Sequence, residues 1–226
     1  LSVLPQKLLI VGGGYIACEF ASIFTGLGSK VTQFCRGETI LRGFDNEATS
    51  LVADQMKSNG VDLQYGVNVV KISKLENSFR ITDNYGRVED FDQILFATGR
   101  VPNSCGLQNS SAGLSVGDNG EIIVNKYSQS SIESIYAIGD LTDRKQLTPI
   151  AIKEAMAFVQ TAFFDNPSCL DYSSIPTAIF TKPEMGTVGL SEEVAAERGP
   201  VDIFTTYFKP MRSGLADIEN KSFIKL

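Results

Sequence analysis

One local pattern near the start of the chain constrains its fold more than any other. Leu8 to Val11, preceded by Lys7, is a continuous apolar run, as expected of a strand buried on both faces. Gly12-Gly13-Gly14-Tyr15-Ile16-Ala17 follows directly. Ile16, Phe20, Ile23, Phe24 and Leu27 then recur at helical spacing until Gly28 closes the helix. A strand, GxGxxA and a helix in immediate succession are the opening of a dinucleotide-binding βαβ unit. Gly12 permits the tight turn, Gly14 lets backbone approach a pyrophosphate, and Ala17 keeps the helix close to the strand. The helix start offers free N–H groups and a partial positive charge to the phosphates.

The next hundred residues continue in the same style. Lys30 to Cys35 reads as a second strand, and Asp45 caps a helix running through Lys57 to a stop at Asn59-Gly60. Val61 to Tyr65 is a third strand. Val67 to Phe91 alternates with turn signals at Glu76-Asn77 and Asn84-Tyr85-Gly86, an antiparallel insertion, and Gln93 to Ala97 is another apolar strand. The expected class is α/β, with a Rossmann-like domain first. Residues 104–120 are rich in Ser, Asn and Gly and read as loop. Short strands are expected at Glu121–Val124 and Ser134–Ile138, the latter ending in Gly139-Asp140, and a helix from Thr148-Pro149 to about Phe164. After Ile175-Pro176 the pattern returns to strands at Thr177–Phe180, Thr187–Gly189, Asp202–Phe208 and Ser222–Leu226, interrupted by a helix over Ser191–Arg198.

The end of the second strand bears on which dinucleotide is bound. NAD sites keep an acid there, roughly 20 residues beyond the glycines, on the ribose 2′-OH. Here Cys35 takes that place, Arg36 follows, and Arg42 comes shortly after. Two guanidiniums and no carboxylate suit a 2′-phosphate, because Arg pairs phosphate oxygens bidentately. Glu38 lies between them and offers a surface ion pair as the alternative.

Composition excludes several classes. Twenty Lys and Arg against 26 Asp and Glu give a net charge of −6 over 226 residues, which argues against nucleic acid as a partner. No apolar run approaches the roughly 18 residues of a helical membrane span. The absence of histidine removes imidazole metal sites and Ser-His or Cys-His catalysis, and no metal is expected. The four cysteines, Cys18, Cys35, Cys105 and Cys169, lack CxxC or zinc spacing and read as reduced thiols in a reducing, cytoplasmic setting. The chain begins at Leu1, almost in a strand, and stops inside an alternating stretch, so a piece of a longer protein is expected.

The segments GGGYIACEFASIF, CRGETILRGFD, FATGRVPN, IYAIGDLTDRKQLTPIAI and IPTAIFTKPEMGTVGLSEEVA resemble consecutive motifs of the glutathione reductase family, within the flavoprotein disulfide oxidoreductases. Order and spacing match over essentially the whole chain. The resemblance implies an NADPH-binding domain over residues 1–97, the C-terminal part of an FAD-binding domain over 98–174, and the start of an α+β dimerisation domain over 175–226. It implies NADP and FAD as cofactors, a low-molecular-weight disulfide as substrate, and a homodimer. By the same resemblance, Arg36 and Arg42 hold the 2′-phosphate and Gly13 touches the NADPH backbone. Tyr15 is an aromatic gate for nicotinamide, with Ile16 its neighbour. Glu19 pairs with a flavin-side lysine and meets nicotinamide. Gly99 lies under the adenosine side. Asp140 holds the flavin ribityl chain, and Leu147 and Thr148 present N–H groups near the flavin ring. Gln146 and Ala178 contact the nicotinamide amide through backbone.

Read alone, Gly-Asp at 139–140 also serves as a turn cap, Thr148-Pro149 is an ordinary helix start, and Glu19 is a solvated helix acid. The family's CxxxxC redox pair and first FAD fingerprint are expected upstream of Leu1, and its His-Glu pair beyond Leu226. No catalytic residue is therefore expected in this chain, which alone would be inactive. Met156 stands where glutathione reductases often carry an Arg that touches glutathione, so a related glutathione conjugate remains open as substrate. A non-catalytic dinucleotide-binding module is the alternative of another class.

Overall fold

The computed structural model describes residues 1–108, 113–211 and 222–226. The chain divides into two compact units, one made of residues 1–98 with 175–226, the other of residues 99–174.

The first unit opens with β1 (Lys7–Val11), α1 (Tyr15–Gly26), β2 (Lys30–Cys35), α2 (Asn46–Ser58) and β3 (Asp62–Tyr65). An antiparallel sheet follows, β4 (Val69–Lys74), β5 (Phe79–Asp83) and β6 (Val88–Phe91), before β7 (Gln93–Phe96) returns. The main sheet has the order β3-β2-β1-β7 and every pair in it is parallel. Register pairs Val11 with both Phe34 and Phe96, so β1, β2 and β7 end side by side. That edge is where ligands of open α/β sheets bind.

Alternation along β1 explains why the run is apolar throughout. Leu8 and Ile10 pack with Ala17, Cys18, Ala21, Val52 and Met56 on the helix side. Leu9 joins Phe34, Val67, Ile81 and Phe91 on the side of the antiparallel sheet. Both faces are therefore covered, one by helices and one by the insertion. Asp45 caps α2 as expected, its side chain accepting the Ala48 N–H at 3.0 Å.

The second unit is less regular. A short helix, α3 (Cys105–Gln108), stands inside the expected loop, and a 3-10 turn over Gly139–Thr142 precedes α4 (Thr148–Phe163). Residues 109–112 of the expected loop lie outside the described residues. The strands expected at Glu121–Val124 and Ser134–Ile138 do not form as ladders. They make single bridges, Val116 with Ile122 and Gln129 with Tyr136. The reason is local. Asn125 accepts the N–H groups of Tyr127 and Gln129 through its side chain, and Ser128 takes a positive φ of 63°. The chain thus folds back within a few residues, and no long ladder can propagate.

The chain then rejoins the first unit through β8 (Thr177–Ile179), β9 (Met185–Thr187), α5 (Glu192–Ala196), β10 (Thr205–Phe208) and β11 (Ser222–Lys225). The ninth strand lies two residues earlier than the Thr187–Gly189 alternation predicts, because Met185 pairs with Ile179 and both are buried. β10 is shorter than expected, although Phe204 and Leu226 still exchange both backbone hydrogen bonds beyond its end. Residues 212–221 lie outside the described residues. Ile179 and Met185 join the core beneath α1. Lys225 closes a cluster with Asp45 at 3.0 Å, Glu47 at 3.2 Å and Glu192 at 2.5 Å. No described helix is long and apolar enough to cross a membrane.

Candidate functional site

The glycine loop in the first unit is built from the backbone outward. Gly12 takes φ +139°, and a Cβ there would stand 2.3 Å from the Ala97 carbonyl oxygen. Only glycine fits. Its N–H is spent on Phe34 O at 2.9 Å, which locks the loop onto β2. At Gly14 nothing lies within 4 Å of a would-be Cβ, so the loop is open there. Gly14 is also the N-cap of α1 and supplies no side-chain cap. The helix start therefore has no side-chain cap of its own, and a helix N-terminus of this kind suits a phosphate. Ala17 is fully buried, and its Cβ would lie 3.4 Å from a Cβ on Gly12, so a larger residue would push helix from strand. Tyr15 and Ile16 are half-buried on the first turn.

Arg36 follows β2 directly and is exposed, as is Arg42. The loop between them is pinned to the glycine loop. Leu41, at a positive φ of 54°, donates its N–H to Gly13 O at 2.6 Å, and the side chains of Ile40 and Leu41 are buried. Apolar anchors thus hold the segment while the arginines stay outside. Among the described residues, Glu38 pairs with neither guanidinium, nor does any other carboxylate. Both charges are available to an anion.

Three residues support the loop in a way that the sequence pattern does not show. Gln33 is completely buried and donates to Gly12 O at 2.9 Å and Cys18 Sγ at 3.5 Å. Cys35 Sγ donates to Gly12 O at 3.7 Å, and Cys18 Sγ to Gly13 O at 4.0 Å. Burial pushes the Cys18 thiol up to about 12 and the Cys35 thiol up to about 11, so both remain protonated donors. Cys35, which stands where NAD sites keep an acid, points under the loop and is 1% exposed. Gln33 lies in the middle of a strand whose residues 31–35 are all buried, and a polar side chain there needs a buried partner.

Glu19, read alone as a solvated helix acid, accepts the Phe180 N–H at 2.9 Å and so ties α1 to the end of β8. Ala178 lies on β8 opposite Gly186 and is exposed.

The second unit gathers the remaining residues. Gly99 is exposed at φ +128°. Asp140 is exposed on the 3-10 turn and faces the Arg100 guanidinium at 3.4 Å. Arg100 also donates to Gln146 O at 2.8 Å and to Gln146 Oε1 at 3.4 Å, so one arginine joins the two predicted residues. Leu147 is the N-cap of α4 in extended conformation with no side-chain cap, and a proline stands in the first turn. As at Gly14, the helix start is left without a side-chain acceptor; Thr148, its first residue, is exposed. The Gly139 N–H runs to the buried Glu154 at 2.5 Å. Among the described residues no cluster of three or more Cys, Asp or Glu is placed to hold a metal.

Comparison with known proteins matches this geometry to a family. The model of the pyridine nucleotide-disulphide oxidoreductases fits residues 1–155, and that of their dimerisation domain fits residues 175–226. A glutathione reductase of Burkholderia cepacia is 41% identical over all of this chain and 51% of its own length. The chloroplastic/mitochondrial glutathione reductase of Pisum sativum is 46% identical, over 98% of this chain and 41% of its own. A trypanothione reductase of Leishmania donovani is 40% identical over 97% of this chain and 46% of its own. Among solved structures, the copper(II) complex of the HOCl-induced flavoprotein disulfide reductase RclA from Escherichia coli superposes with a TM-score of 0.88 at 29% identity. The match covers 99% of this chain and 52% of that one. The chain spans about half the length of the relatives it matches.

Proposed function

Because this chain belongs to the pyridine nucleotide-disulphide oxidoreductases, we propose that a full-length protein carrying it reduces a low-molecular-weight disulfide, glutathione disulfide, at the expense of NADPH and by way of FAD, as a homodimer. The single observation behind the cofactor assignment is the open glycine loop without a side-chain cap, beside two exposed arginines that pair with no carboxylate among the described residues. Bound NADPH and flavin supply the hydride and electron-transfer chemistry, while the protein supplies position and electrostatics.

In this reading Gly12, Gly13 and Gly14 seat the pyrophosphate on the start of α1, and Arg36 and Arg42 clamp the 2′-phosphate. Tyr15 and Ile16 cover the nicotinamide, with Glu19 beside it and the backbone of Ala178 holding the amide. Asp140 hydrogen-bonds the flavin polyol, and the Thr148 N–H at the start of α4 faces the flavin ring, while the Leu147 N–H is already given to Lys145 O at 2.9 Å. Gly99 leaves room for the adenosine side. The pairing of Asp140 with Arg100 supports this assignment, since it holds the half-exposed carboxylate in place as an acceptor.

The dimer reading is supported by the match of residues 175–226 to the dimerisation domain. A glutathione conjugate is the second reading for the substrate, favoured by the apolar, 65% exposed Met156 and by the likeness to a trypanothione reductase. The test is NADPH oxidation by the full-length protein with glutathione disulfide and, separately, trypanothione disulfide. Higher kcat/KM with glutathione disulfide supports the first reading. The reverse order supports the conjugate, and turnover with neither contradicts both.

A further inference from the structure

Glu154 is 2% exposed on α4, and nothing in the functional reading above uses it. Its carboxylate takes donors from three directions. Gly139 N–H reaches Oε2 at 2.5 Å, the Tyr172 hydroxyl donates to Oε1, and the Arg144 guanidinium lies 3.2 Å from Oε1. Arg144 in turn donates to Thr142 Oγ1 at 3.1 Å and to Ser128 Oγ at 2.9 Å, and lies 5.2 Å over the Tyr172 ring. The Thr142 hydroxyl donates to Gly139 O at 2.9 Å. Both backbone polar groups of Gly139 are thus tied down, one directly by Glu154 and one through its neighbours.

Gly139 also sits against the helix that carries Glu154. It takes φ +66°, and a Cβ on it would lie 3.1 Å from Ala151 Cβ, one turn before Glu154. The Asp140 side chain, by contrast, is half exposed and faces Arg100. Burial, and then the bond to Glu154, raise the Tyr172 hydroxyl above its ordinary value, so it stays the donor. A buried carboxylate is costly unless every lone pair is used, and here two of its three donors, the Gly139 N–H and Arg144, bear on one turn.

We propose that Glu154 is a positioning residue for the Gly139–Asp140 turn, fixing the backbone on which Asp140 stands and so setting the protein's affinity for the flavin. The inference rests on the reading of Asp140 as a flavin ligand. It is tested in the full-length protein, freed of flavin and titrated with FAD by fluorescence quenching, using a double-mutant cycle. Asp140→Ala is expected to weaken FAD binding about tenfold, the worth of one charge-assisted hydrogen bond. Glu154→Met, similar in size but without an acceptor, is expected to weaken it by a similar factor of about ten. In the Asp140→Ala background the same change should add less than about twofold, because the two act through one contact. Glu154→Gln keeps an acceptor for the Gly139 N–H and should lose only about threefold, again coupled to Asp140. This variant carries the cycle if the Met variant does not fold. NADPH affinity should stay within about twofold throughout. If Asp140→Ala leaves FAD affinity unchanged, the flavin reading of the turn and this proposal fall together. If Asp140→Ala weakens binding while the Glu154 variants do not, or do so additively, only the positioning role is overturned.

Discussion

Gly12 and Gly139 both stand at positive φ, at +139° and +66°, beside the residues assigned to two different cofactors, but they are held in different ways. Gly12 is fixed by the sheet. Its N–H bonds to β2, and the backbone of Ala97 fills the space a side chain would need. Gly139 is fixed by a side chain, the buried Glu154, with Arg144 and Tyr172 behind it. The first device is steric and indifferent to charge. The second is electrostatic and fails if one partner is lost. A loop on paired strands inherits its precision from the ladder, whereas a turn without a ladder has to be given it by a network.

The largest expected effect sharpens the steric half of that comparison. Gly12→Ala should destabilise the protein by about 3 kcal/mol or more, from the strained φ and the overlap with Ala97. Gly14→Ala is its control. With φ of −80° and open space around it, stability should move by less than about 0.5 kcal/mol, while NADPH affinity falls because a methyl group stands in the path of the phosphate. Urea denaturation and cofactor titration of the two variants separate strain from obstruction. Equal stability losses would break the comparison.

Next in size is the electrostatic half. Arg144→Met strands the Glu154 carboxylate in the interior with two donors left, and should cost about 2–4 kcal/mol. A loss below about 0.5 kcal/mol would show that the network is ornamental.

A smaller effect belongs to Lys225. Burial works to lower its pKa, but Glu192, Asp45 and Glu47 together raise it. Burial likewise works to raise Asp45, yet the Ala48 N–H, Lys225 and the Glu192 N–H leave it below its ordinary value. A depressed carboxylate stabilises the fold above its unfolded pKa of about 3.9, and that contribution is lost as pH falls through the folded value. A raised lysine stabilises below its unfolded pKa of about 10.4, and loses that contribution as pH rises past it. Lys225→Met should therefore cost about 1 kcal/mol at neutral pH and flatten both the acid and alkaline arms of a stability–pH profile. An unchanged profile would contradict the cluster's role. The smallest expectation is for Glu38→Ala, which should leave NADPH affinity within about twofold, since Glu38 pairs with neither arginine.

The same contrast explains what the sequence reveals. β1, the glycines, α1 and the Asp45 cap are legible because each is encoded within a few consecutive residues. The 3-10 turn at Gly139 is not. Ser134–Ile138 reads as a strand by composition, but strand pairing depends on a partner, and Ser128 and Asn125 turn the chain back too soon. Glu154 sits in a helix beside Lys153, where a charged residue ordinarily faces water. Only the distant Arg144 and Tyr172 make its burial intelligible. Cys18 and Cys35 read as unremarkable thiols, because no local spacing shows that both lie beneath the glycine loop. Met156 and Arg36 are visible as departures from a pattern, but their environments are set by folding.

The location of Cys35 also decides how cofactor choice should be probed. An acid introduced there would be buried under the Gly12 carbonyl, so substitutions belong at the exposed arginines instead. The most direct measurement is the affinity of the full-length protein for NADPH and NADH, with Arg36→Leu and Arg42→Leu, at low and high salt. Charge-assisted hydrogen bonds of about 1.5–3 kcal/mol each predict a preference for NADPH on the order of 100-fold. That preference should shrink with salt, because the arginines are exposed. It should shrink in each variant too, without loss of NADH binding. Equal affinity of the unmodified protein for both nucleotides would contradict the account.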